Sequence, residues 1–108
     1  MKLSDMISTF IDEVKKQLER QQNGNITAAN EHADQIVNMA NKLKKSGSSG
    51  KSELINLAKH EDPYVRLWAA CNLDDTAREF AIKVLTELAQ HTNEDYGHSA
   101  QIQLDFNM

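Results

Sequence analysis

Proline occurs once in this chain and glycine four times in 108 residues. Both residues break helix interiors, so their scarcity suits a mostly helical protein. Aromatic residues make up only 6% and β-branched residues are thinly spread, which argues against an all-β fold. A single cysteine cannot close an internal disulfide, and with four methionines it fits a reducing cytoplasm. No 18-residue apolar run occurs, so no membrane span is expected. The opening stretch MKLSDMISTFIDEV lacks the apolar segment of a signal peptide, and the expected location is the cytoplasm.

Catalytic and cofactor signals are equally sparse. The four histidines, His32, His60, His91 and His98, form neither an HExxH motif nor a ligand pair four residues apart, so no metal is expected. Gly50-Lys51-Ser52 mimics the end of a phosphate loop, but the upstream pattern and the preceding strand are missing. No cofactor is expected. Cys71 falls mid-helix, whereas a reactive thiolate wants a helix N-terminus or a cationic neighbour. It reads as a buried or half-buried, inert residue.

What is present is a succession of amphipathic helices. Leu3, Met6, Ile7, Phe10, Ile11, Val14 and Leu18 recur at steps of three and four, which predicts a helix over roughly 4–21. Asn23-Gly24-Asn25 ends it. Ile26, Ala29, Ala33, Ile36, Val37, Ala40 and Leu43 predict a second helix, from about Ile26 to Lys45. Ser46-Gly47-Ser48-Ser49-Gly50 reads as a flexible loop by composition. Leu54, Ile55, Leu57 and Ala58 then mark a short helix. Asp62-Pro63 starts another, with Asp as N-cap and Pro at the first helical position. That helix runs to about Leu73. Thr76 and Glu79 read as a capping box for a helix over about 77–90. A last helix spans about Tyr96 to Phe106, pairing Ala100 with Leu104 and Ile102 with Phe106. The expectation is a single all-α domain over 1–108, of about six helices. An N-terminal helical pair (1–45) and a loop (46–50) precede the repeats (51–108).

Residues 54–73, LINLAKHEDPYVRLWAACNL, resemble a HEAT-type repeat, and AREFAIKVLTELAQ and DYGHSAQIQL continue its rhythm. The resemblance implies antiparallel helix pairs stacked as a short solenoid. It also implies that Val65, Ala69 and Leu73 pack inward and that Arg66 reaches to a neighbouring turn. The chain is similar as well to a small bacterial family of HEAT-like single domains without assigned activity. Asp62, Pro63, Val65, Arg66, Leu67, Trp68, Ala69 and Ala70 match its central segment, and Gly97, Ala100 and Leu104 match its tail. The likeness covers most of the chain and is specific over 60–104. Such families often resemble immunity proteins encoded beside polymorphic toxins.

Charge narrows the partner. Residues 1–50 carry seven Lys and Arg against six Asp and Glu, while residues 51–108 carry five against ten. An acidic half repels nucleic-acid phosphates, so nucleic acid is not expected. Three carboxylate pairs, Glu61-Asp62, Asp74-Asp75 and Glu94-Asp95, all fall at turns between helices. Each suits a helix cap. Together they would also form a negative ridge that docks a basic partner. Tyr64 and Trp68, four apart, share a helix face. Trp68 is expected in the core, and the more exposed Tyr64, with Arg66, in an interface.

The sequence thus points to a non-catalytic protein-binding domain. Its most concrete form is a cytoplasmic immunity protein that blocks a toxin domain, possibly a basic nuclease. The alternative is a general adaptor module binding another protein or a peptide. A hydrolase working through the acidic turns or His60 ranks below both.

Overall fold

The computed structural model describes residues 1–106. The fold is all-α. Six helices follow one another, α1 Leu3–Gln22, α2 Ile26–Lys45, α3 Gly47–Leu57, α4 Pro63–Cys71, α5 Arg78–Ala89 and α6 Asp95–Phe106, with a 3-10 turn at Asp75–Ala77 before α5. No strand occurs among the described residues. The chain divides into two compact units, Met1–Leu54 and Ile55–Met108.

In the first unit α1 packs on α2. The turn between them is set by Gly24, whose φ of +79° is one that L side chains rarely adopt. Asn25 then caps α2, its Oδ1 accepting the Ala28 N–H at 3.2 Å. Met6, Phe10 and Val14 of α1 are buried, as are Ala29, Ile36, Met39, Ala40 and Leu43 of α2. Ile26 and Val37, expected in the stripe of α2, are exposed, and Met39 takes part in the core instead. A half-buried pair also ties the two helices: His32 Nδ1 lies 2.6 Å from Glu13 Oε2.

The Ser-Gly run is not a flexible loop. Ser46 alone separates α2 from α3, its N–H bonding back to the carbonyls of Lys42 and Leu43. Gly47 supplies the left-handed turn with φ +81°, and Gly50 is buried in the first turns of α3. Composition misleads here because both glycines serve geometry rather than freedom. One takes a left-handed conformation between α2 and α3, and the other lets backbone approach backbone.

In the second unit α4 packs on α5, α5 on α6, and α4 on α6. Asp62 caps α4 by accepting the Tyr64 N–H at 2.8 Å, with Pro63 at the first position. Val65, Leu67, Ala69 and Ala70 are buried, and Leu73 is half-buried beyond the helix end. The expected capping box does not form. Asp74 takes the cap, accepting from Thr76 N–H and Thr76 Oγ1, and its 3-10 turn moves the start of α5 to Arg78. On α6 the two expected pairs part company. Gly97, Ala100 and Leu104 are buried, whereas Ile102 and Phe106 are 52% and 82% exposed.

Candidate protein-binding surface

The turn before α4 is built by three polar contacts. His60 Nδ1 accepts the Asp62 N–H at 3.0 Å. Arg66 Nη1 donates to the carbonyls of His60 and Glu61 at 2.9 and 3.0 Å. Arg66 therefore reaches back to the turn, and its guanidinium is held in place by backbone. Glu61 stays exposed beside it.

The turn before α6 meets this one through two rings. Tyr64 and Tyr96 stand edge to face, with centroids 5.4 Å apart and planes at 76°. His91 lies against the other tyrosine, its ring 5.7 Å from that of Tyr96. Burial raises the Tyr64 phenol pKa, and the carboxylates of Asp95 and Glu94, then Tyr96 and Asp62, push it the same way. Those carboxylates thus share one neighbourhood with the ring. Glu94 and Asp95 are exposed, and Asp62 is half-buried. The result is an aromatic pair rimmed by acids drawn from two turns.

Asp74 and Asp75 do not join it. They follow the C-terminal end of α4, whereas Asp62 opens its N-terminal end. Nine helical residues separate the two, about 13 Å of rise. Asp74 and Asp75 instead line a cavity of about 150 Å³ with Cys71, Arg78 and Leu104. The three acidic turns therefore form no single ridge. Helix hairpins return the chain to the same end only at every second turn, so 61–62 and 94–95 meet and 74–75 does not.

The expected division between Trp68 and Tyr64 is absent as well. Both are half-buried, and neither is in the fully buried set. Tyr64 is drawn inward by Tyr96, a partner thirty-two residues away that no local pattern announces. Tyr96 and His91 were missed by sequence reasoning. Their only signal is that they bracket the Glu94-Asp95 turn.

Cys71 ends α4 and is exposed as a residue, contrary to the buried or half-buried placement expected. Its thiol is nonetheless pushed up to about 11 from 9.0 by desolvation, which fits its place in the cavity wall. At pH 8 the folded protein should react with iodoacetamide about ten- to a hundredfold more slowly than the urea-unfolded chain, because its thiolate population is smaller. Equal rates in the two states would show that the sulfur is fully hydrated.

Among the described residues no three His, Cys, Asp or Glu side chains gather to hold a metal ion, and no helix is long and apolar enough to cross a membrane. No family model matches the chain, and neither a curated protein nor a solved structure does.

Proposed function

We propose that this protein is a non-catalytic binding domain for a basic protein partner. The resemblance of residues 60–104 to HEAT-like single domains favours a cytoplasmic immunity protein that neutralises a toxin domain. The carrying observation is the meeting of two acidic turns at the Tyr64–Tyr96 pair. Aromatic rings with a low conformational-entropy cost suit a binding anchor, and a carboxylate rim steers a cationic partner and speeds encounter. Glu61, Asp62, Glu94 and Asp95 form that rim, with Tyr64 and Tyr96 at the centre and Arg66 fixing the turn.

The first test is whether a neighbouring gene encodes a toxin domain, against which the purified protein is then titrated. A one-to-one complex is expected, with association slowing as salt rises. The double reversal Glu94→Lys/Asp95→Lys should weaken binding at least about tenfold at low salt, mainly through the association rate. Both residues are exposed at the start of α6, so the reversal should cost only about 1–2 kcal/mol of stability, through the helix dipole, and leave the chain folded. Unchanged affinity in the reversal would remove this surface from the interface, and failure of wild type to bind or protect would remove the immunity reading. Binding of an unrelated basic peptide with equal affinity would favour the adaptor reading instead.

A further inference from the structure

The second unit also carries a place of opposite character. A cavity of about 330 Å³ is lined by Lys59, Arg66 and Lys83, by Phe80 and Val84, and by one carboxylate, Glu87. Residues 51–108 hold only five basic side chains against ten acidic ones, yet three of the five line this one cavity. They come from three segments: the turn after α3, helix α4 and helix α5. Such gathering in an acidic half is not what uniform solvation of charges would give.

Each cation is held differently. Lys59 Nζ sits 5.5 Å from the centre of the Phe80 ring, which draws the ammonium to the cavity. Arg66 is anchored through Nη1 to the carbonyls of His60 and Glu61, which leaves its other N–H donors for a further acceptor. Lys83 is exposed on α5, one turn before Glu87. Three cations against one carboxylate leave two positive charges facing a half-buried aromatic ring and Val84. Two positive charges match the phosphate monoester dianion. The apolar wall suits a hydrocarbon body, and the volume lies at the small end of ligand sites.

We propose that this cavity binds a phosphate monoester carried on a small apolar or aromatic body. The cavity shares Arg66 with the acidic surface, but no carboxylate of that rim lines it, and Lys59 and Lys83 belong to the cavity alone. The probe is phenyl phosphate, titrated into the full chain by calorimetry and by backbone-amide NMR, with phenol and inorganic phosphate as parallel arms. Saturable binding of phenyl phosphate is expected, with shifts at Lys59, Phe80 and Lys83. Loss of one charge-assisted contact in Lys83→Gln should weaken it about tenfold or more. Lys45→Gln, in the first unit, should bind as wild type. A phosphotyrosine peptide with neutral flanks that binds more tightly than phenyl phosphate would place the monoester on a protein. Equal or weaker binding would favour a small molecule. The proposal is overturned if phenyl phosphate does not saturate, if Lys83→Gln binds as the parent does, or if inorganic phosphate or phenol binds equally well.

Discussion

Gly97→Ala is expected to destabilise the protein by about 3 kcal/mol or more, at or beyond the top of the usual range for overpacking. A Cβ at position 97 would stand 2.0 Å from the carbonyl oxygen of His91, 2.8 Å from its carbon and 3.1 Å from the carbonyl oxygen of Leu88. These are backbone atoms, so no rotamer change relieves the contact. The His91 carbonyl is also engaged, since it accepts the Glu94 N–H at 3.0 Å. Alanine gains about 1 kcal/mol of helix propensity over glycine, which does not offset the clash. Ser99→Ala, at an exposed position of the same helix, is the control and should stay within about 0.5 kcal/mol of the parent. Urea denaturation separates the two. A Gly97→Ala variant as stable as the parent would mean that α6 does not approach the His91 turn as described.

Gly50→Ala should cost a similar amount, and it decides between two views of the Ser-Gly run. A Cβ there would lie 1.9 Å from the Leu43 carbonyl oxygen and 2.8 Å from Ser46 Cβ. Gly47→Ala should cost less, about 1 kcal/mol, because its left-handed backbone is strained for alanine while the space around it is open. Ser49→Ala, exposed, should be close to neutral. A flexible linker would show none of this gradation. Three equal, near-neutral variants would restore the linker reading and sink the helix start at Gly47.

The parts of this fold legible in the sequence are those governed by neighbours in the chain. Asp62-Pro63 starts α4 because a cap and a preset φ act within two residues. The stripes of α1 and α5 name buried residues because one helix face is a local property. Ala100 and Leu104, paired four residues apart on α6, are both buried. Contacts over distance were harder to read. The Tyr64–Tyr96 pair needs two helix hairpins to bring its rings together, and nothing local in DPYV or EDYG records the other. The acidic turns could be found one by one, but which of them meet depends on the sense of each helix. The basic cavity escaped because its three cations are spread over twenty-five residues.

The distribution of aromatic side chains has a practical corollary. Both tyrosines and the tryptophan, at 64, 96 and 68, lie in the second unit, and the first has a single Phe, Tyr or Trp, Phe10. Tryptophan fluorescence therefore watches the second unit alone, one turn of α4 from the acidic surface. Far-ultraviolet dichroism reports the helices of both units, with the two twenty-residue helices α1 and α2 giving the first its largest share. Fluorescence thus isolates one unit while dichroism follows both. A thermal melt followed by both would reveal whether the two units lose structure together, without a single label being introduced.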